Sequence, residues 1–383
     1  MKTLQARVFL LVAATFSTIY LTQPVLPVLG REFGIGAAKA SFSVSAVIFG
    51  IALATLPLGR LADRFPTRPI LLSGGMVASL CGFLCAATES FPLLVAARFL
   101  QGLSVPAITT CLVVFLARRL PPDRLNVAMG SYVSATVAGG LGGRLLAGFI
   151  HPPLHWRYAF VTASVLLLLG TLDAFRWLPR EERPTDAGGE EAGFVALLSR
   201  PDLVRIFFSG AFACGAFLSV FNYMPFRLAG PPFSLPTHLV TLLYLSYLVG
   251  VAIGPSAGRL GNRFGNGATM AIGSAVFAAS SLLLLLPSLA GIGAGLAGAC
   301  AGFFIVHTAA VAELNRRLAS SRGRGNSLYI LLYYLGGAGG ITASGTAYHL
   351  WGWGGVVALV ACFLAVPFAA GLSAARDGRR GGR

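Results

Sequence analysis

The sequence predicts an all-α membrane protein with twelve transmembrane helices arranged as two pseudo-symmetric six-helix bundles. Three observations point there. Of 383 residues, 56% are hydrophobic and only 11% charged, with a mean hydropathy of +0.77, whereas soluble domains carry about 25% charged residues. Apolar stretches of about 20 residues recur along the whole chain; they are continuous rather than alternating, and in hydrocarbon that means helices that satisfy their own backbone. Short patterns also repeat between the two halves at a nearly constant offset.

The spans follow in order. The first, 8 to 29, contains Gln23, Pro24 and Pro27 and no small-residue cleavage site, so it reads as a retained helix rather than a signal peptide. The second, 40 to 58, leads into the basic loop "GRLADRFPTRP" at 59 to 69, and the third covers 70 to 88. A fourth, 91 to 117, carries "RFLQG" at 98 to 102; a fifth, 127 to 150, contains "GSYVSATVAGGLGGRLLAGF"; a sixth, 157 to 177, holds Asp173 and Arg176 near its end. Residues 176 to 205 form the one long polar stretch, rich in Pro, Gly and mixed charge. Beyond it come 203 to 225, 238 to 257 with "GRLGNRF" following at 258, 268 to 287, 289 to 314 with His307 and Glu313, 327 to 350, and 354 to 373. All six cysteines fall within spans, without metal-ligand spacing, and read as packing residues.

The halves align. "GRLADRF" at 59 and "GRLGNRF" at 258 are 199 apart; "GGLGGRLLAG" at 139 and "GGAGGITASG" at 336 are 197 apart, as are Trp156 and Trp353; Pro27 and Pro225 are 198 apart. Four registers this close imply a parallel duplication. The expected division is a bundle at 1–178, a cytoplasmic linker at 179–202 and a second bundle at 203–383. Parallel six-helix repeats are a transporter architecture in which cargo is held near mid-membrane at the repeat interface.

The formal net charge of +16 invites a nucleic-acid reading, but its distribution opposes one. If the N-terminus is cytoplasmic, 23 of the 29 basic residues fall in cytoplasmic segments. Such asymmetry is the positive-inside pattern and sets both termini in the cytoplasm. A membrane enzyme would need a nucleophile, base or metal cluster, yet the five histidines are scattered without paired carboxylates. No glycine loop followed by Lys and Ser or Thr is present, which removes ATP hydrolysis by this chain. No cofactor or metal is expected.

The loop at 59 to 69, its copy at 258, "RFLQG" and the glycine run of the fifth span resemble motifs of the major facilitator superfamily. "YLTQPVLPVLGREFG" at 20 to 34 is similar to the first helix of the bacterial efflux branch that includes YnfM-like and AraJ-like permeases. The resemblance covers the whole chain. It implies a transporter of a bacterial inner membrane that works, as a monomer, by rocking its two halves, with protons and a small molecule as partners. It also implies that Asp63, Arg64 and Arg68 form a cytoplasmic latch, with Arg118 or Arg119 contributing. Gly59 and Gly258 are expected to allow close helix approach and a tight turn. Arg259 belongs to the second copy, where Asn262 replaces the acid, so the latch should be lopsided. Pro66 and Thr67 depart from the family pattern and should stiffen and weaken it.

Within the membrane, Arg98 lies about 10 Å from the outer end of its span, where a guanidinium needs a partner or a cavity. Gln101 shares its face, and Tyr20 and Gln23 lie at similar depth on the first span, so Arg98 and Gln23 are expected to meet. The family implicates this arginine in proton coupling. Gly130, Gly139 and Gly143 keep the spacing of the antiporter motif, but Arg144 stands where that motif has proline, which makes "antiporter" a weaker reading than "transporter". Asp173 is expected to pair with Arg176, and His307 is a candidate protonation or substrate site. Tyr132, Tyr223, Tyr244 and Tyr333 are candidate cavity aromatics, each also readable as packing.

Two functions stay open: proton-driven export of small organic molecules such as drugs, sugars or metabolites, and proton-coupled import of a small anion or metabolite, with Arg98 and Arg144 holding its charge. A receptor or scaffold on the same fold is a third reading.

Overall fold

The computed structural model describes residues 2–178, 193–318 and 322–380; most of the expected linker, 179–192, lies outside the described residues. Every regular element among the described residues is helical. In chain order these are α1 (Lys2–Ile19), a 3-10 turn (Gln23–Val25), α2 (Leu26–Glu32), α3 (Ala37–Ala40), α4 (Phe42–Arg64), α5 (Thr67–Ala87), α6 (Phe91–Arg119), α7 (Pro122–Ile150) and α8 (Arg157–Trp177). After α9 (Phe194–Leu198) and α10 (Pro201–Ala229) come α11 (Thr237–Thr241), a 3-10 turn (Leu242–Ser246), α12 (Tyr247–Phe264), α13 (Asn266–Leu283) and α14 (Leu289–Arg317). Residues 322–380 form two helices, α15 (322–351) and α16 (353–380), divided at Gly352, whose φ of 61° breaks the helical path. Eleven described segments are long and apolar enough to cross a membrane, the last of them holding both α15 and α16, which makes twelve crossings.

Several helices outrun the apolar runs that announce them. The 29 residues of α6 extend about 44 Å at 1.5 Å per residue, well beyond a hydrocarbon core of about 30 Å. Helical hydrogen bonding therefore continues into the polar boundary.

The first span departs from expectation in a way that matters for the site. It is broken between Ile19 and Gln23. Pro24 has no N–H and its ring crowds the carbonyl four residues back, at Tyr20; Gln23 N–H turns to the Tyr20 carbonyl at 3.1 Å instead of continuing the helix.

Contacts divide the chain into two compact units. Unit 1 is residues 1–35, 42–189 and 236–242; unit 2 is 36–41, 190–235 and 243–383. Thus α11 belongs with unit 1, where Thr241 packs on Gly148, and α3 belongs with unit 2, where Ser41 Oγ accepts from Asn222 Nδ2 at 2.7 Å.

The internal repeat is visible in packing within each unit. A Cβ placed on Gly139 or Gly143 would lie 2.3 Å or less from the backbone oxygens of Ala13 and Ser17, so α7 touches α1 backbone to backbone. In unit 2, Gly336 meets Ala211 and Gly340 meets Gly215 in the same fashion. Partners and glycines are each displaced by 197 or 198 positions.

The loop glycines behave otherwise. Gly59 lies inside α4 and Gly258 inside α12, and an added Cβ would meet nothing within 4 Å at either. The expected close approach and tight turn at these positions are not found. The turns come later: Pro66 at φ −55° precedes α5, while Gly265 at φ +82° closes α12, its N–H reaching the Gly261 carbonyl at 2.9 Å. The second turn uses a positive φ, which glycine adopts without steric cost. Gly130, too, has open space around it, so only two of the three motif glycines of α7 are packing positions.

Candidate functional site

The break in the first span creates the site. At the C-terminus of α1 the last carbonyls lack helical partners and carry the negative end of the helix dipole. Arg98, on α6 and fully buried, supplies the donors. Its Nη1 donates to the Thr18 carbonyl at 2.6 Å and to Gln101 Oε1, its Nη2 to the Ile19 carbonyl, and its Nε to the Ser43 carbonyl in the first turn of α4 at 2.9 Å. The guanidinium carbon also stands 5.6 Å from the Phe160 ring centre. Gln101 is held in turn by the Ala78 carbonyl of α5, which accepts from its Nε2 at 3.1 Å. A planar fork with several fixed donors is what such a convergence of oxygens requires, and lysine could not reproduce it.

Arg144 approaches the break from α7. Its Nε donates to Gln23 Oε1 at 2.7 Å, its Nη1 to the Gly140 carbonyl at 2.8 Å, and its guanidinium carbon lies 4.2 Å from the centre of the Tyr20 ring. The expected meeting of Gln23 with Arg98 is therefore corrected. Gln23 takes Arg144, because the turn at Gln23–Val25 swings it away from the end of α1 that Arg98 occupies. Two buried atoms beside this pair have no hydrogen-bond partner, Gln23 Nε2 and Thr22 Oγ1. The segment Pro236–Leu242 of the same unit packs on α7 and on the Gln23–Val25 turn.

In unit 2, His307 Nδ1 lies 3.0 Å from the Tyr329 hydroxyl, and its ring stacks on Phe303 with Tyr333 at 5.2 Å. Phe303 stacks in turn on Phe217 at 4.0 Å. Tyr223 and Tyr244 are fully buried and donate to the Ile341 and Phe221 carbonyls at 3.0 and 3.1 Å, which is packing rather than lining. Tyr132 donates weakly to the Thr109 carbonyl at 3.4 Å, and Tyr333 is half-buried.

At the basic loops, Arg68 donates to the Phe175 carbonyl at 2.7 Å and covers that ring at 4.3 Å, tying α5 to α8. Arg118 reaches the Ala62 carbonyl at 3.3 Å. The Asp63 side chain lies outside the described residues; its backbone is in the last turn of α4. Arg64 and Arg259 are exposed. Asp173 pairs with Arg7 at 3.5 Å rather than with Arg176, so it ties α8 to α1.

Two clusters escaped the sequence reading. Glu313, buried on α14, holds Arg316 and Arg317, and Arg317 also reaches Asp202 on α10 at 3.5 Å. The spacing of three and four residues on a helix is the signal that could have revealed the first two. Glu32 accepts from Trp156 and Arg157, and Arg157 continues to the Thr88 carbonyl at 2.9 Å. No local pattern announces a pairing over more than a hundred residues. The second-half tryptophan, Trp353, donates instead to the Leu284 carbonyl at 2.9 Å.

Comparison with known proteins agrees with this geometry. The family model of the Major Facilitator Superfamily matches residues 8–290. The inner membrane transport protein YnfM of Escherichia coli K12 is 32% identical over 362 residues, covering 94% of this chain and 87% of its own. The uncharacterized MFS-type transporter YybF of Bacillus subtilis is 27% identical, covering 92% and 88%. A crystal structure of a bacterial homologue of the human lysosomal transporter Spinster, inward-facing and occupied, superposes with a TM-score of 0.76 at 15% identity, covering 98% and 97%; it shares the fold. The chain belongs to the major facilitator superfamily. It is a multi-pass membrane transporter and not an enzyme.

Proposed function

We propose that the chain is a proton-coupled secondary transporter of a bacterial inner membrane, with both termini cytoplasmic, that exports small organic molecules by alternating access. The observation carrying this reading is the broken first span with a buried arginine on either side. Transporter sites are typically built where a membrane helix is interrupted and its end groups are freed, and intramembrane charges mark substrate or ion paths. Arg98 holds the break open with donors fixed on the Thr18, Ile19 and Ser43 carbonyls. His307, with Tyr329 as its partner, is the group in the spans of unit 2 suited to carry the coupled proton. Asp63, Arg64 and Arg68 keep the role of cytoplasmic gating residues in this proposal, with Arg68 acting through its hold on α8.

A second reading, import of a small anion, is favoured by Arg144 itself, a positive charge where export relatives of the motif have proline. Everted membrane vesicles separate the two. With an imposed inward-acidic gradient, export predicts that a transported compound dissipates the gradient in vesicles carrying the protein and not in control vesicles. If no drug, sugar or organic acid does so while whole cells gain saturable uptake of one anion, import is the function.

A further inference from the structure

We propose that the groove between α13 and α16 binds an anionic phospholipid, with an acyl chain lying along the groove and the phosphate at Arg376. Small residues bring these two helices together. A Cβ on Gly267 would lie 2.5 Å from the Ala375 nitrogen, and one on Gly371 would lie 2.7 Å from the Ala271 nitrogen. The backbones therefore touch where α13 begins and α16 ends. The short side chains that permit this contact also leave space beside it. Ala268, Ala271 and Ala275 of α13 line a groove of about 410 Å³, walled on the α16 side by Phe368, Leu372 and Arg376. Sites that hold small molecules typically enclose about 300–1,000 Å³.

The groove has one charged end and one apolar end. Both helices belong to membrane-crossing segments, and Arg376 is the last residue of the second. Phe368 lies about 12 Å further in along α16 at 1.5 Å per residue. Ile272, Phe368 and Leu372 are exposed apolar side chains, and inside a span such surface is covered by hydrocarbon. A neutral lipid would satisfy that part alone; the mouth of the groove selects for charge. Arg376 is exposed, and among the described residues no acid pairs with it. The acids of unit 2 whose side chains are described, Asp202 and Glu313, are already held by Arg200, Arg316 and Arg317. One turn earlier on α16, Ser373 Oγ accepts from Arg205 Nη1 at 2.7 Å, which brings a second guanidinium to the same end of the helix on a neutral partner. The sequence continues with Arg379, Arg380 and Arg383 against one acid, Asp377. Basic pockets between membrane helices at the membrane surface take anionic headgroups, and the guanidinium fork matches phosphate oxygens. Under the orientation proposed above, the lipid belongs to the cytoplasmic leaflet.

The full-length protein is placed in phosphatidylcholine nanodiscs doped with phosphatidylglycerol that carries a photoreactive diazirine on its acyl chain. A parallel sample is doped with phosphatidylcholine carrying the same chain. After irradiation, mass spectrometry should find the phosphatidylglycerol label concentrated in residues 268–275 and 368–375, and the phosphatidylcholine label spread over the membrane-facing helices. Arg376→Gln should cut the concentrated label about fivefold, whereas Arg376→Lys should keep it. Ala275→Leu fills the groove and leaves the arginine in place; it should remove the label without lowering the melting temperature, which separates lost binding from lost folding. Equal labelling by the two lipids overturns the proposal, as does a label that survives both Arg376→Gln and Ala275→Leu. Protein that is unlabelled in the groove and dimeric in the nanodisc would give this face to a second copy of the chain and overturn it as well. Labelling requires no transport, so its failure leaves the transport reading standing, and failure of the vesicle experiment leaves the lipid site.

Discussion

Arg98 shows how a charge can be kept in a membrane without a counter-charge. Four of its acceptors are neutral oxygens, and two of those belong to the end of α1, whose dipole supplies the negative potential. Removing the side chain would strand these oxygens as well as leave a cavity. Arg98→Ala should therefore destabilise the protein by about 3 kcal/mol, read as a shift of the unfolding midpoint in a denaturant titration. Arg98→Lys should recover little of it, since one ammonium cannot span acceptors on α1, α4 and α6. A midpoint unchanged in Arg98→Ala would mean the hydrogen bonds contribute nothing to the fold. Glu313 poses the opposite problem, an acid whose burial is made tolerable by Arg316 and Arg317. Glu313→Gln should loosen the contact of α14 with Asp202 on α10 and raise amide hydrogen exchange at residues 313–317; unchanged exchange there would assign Glu313 no structural role.

At the scale of elements, glycines of one motif divide into those that touch backbone and those that touch nothing. Gly143→Val should push α7 off Ser17 of α1 and cost roughly 1–3 kcal/mol as an overpacked contact. Gly59→Ala should be neutral or stabilising by up to about 1 kcal/mol, because it improves helix propensity in α4 with no clash. Comparable losses in both variants would contradict this division. The spacing of glycines was legible in the sequence, but which of them meet a neighbour was not, since that depends on where α1 and α10 run. The break in the first span was written in Pro24 and Pro27, yet hydropathy alone continues through it. Its consequence, Gln23 turning to Arg144 rather than to Arg98, followed from the turn geometry and could not be read from depth along two helices. The Glu32, Trp156 and Arg157 cluster had no local signature at all.

For the whole molecule, composition and repeat spacing were sufficient for the membrane class, the twelve crossings and the duplication. The repeat survives in the glycine contacts of α7 with α1 and of α15 with α10. It lapses at charged positions: Arg144 aligns with Ile341, and Asp63 with Asn262. The duplicated scaffold is symmetric where it packs and asymmetric where it carries charge. The N-terminal unit holds the buried arginines and the broken helix, and the C-terminal unit the His307 and Tyr329 pair. The most direct measurement is proton flux in liposomes reconstituted with the purified protein and a trapped pH-sensitive dye, with candidate small organic molecules added outside. Native protein should show cargo-dependent proton movement, absent from protein-free liposomes, that Arg98→Ala and His307→Ala both abolish while still inserting. Proton movement at the native rate in both variants, or none with any cargo in the native protein, would contradict a proton-coupled site built on these residues.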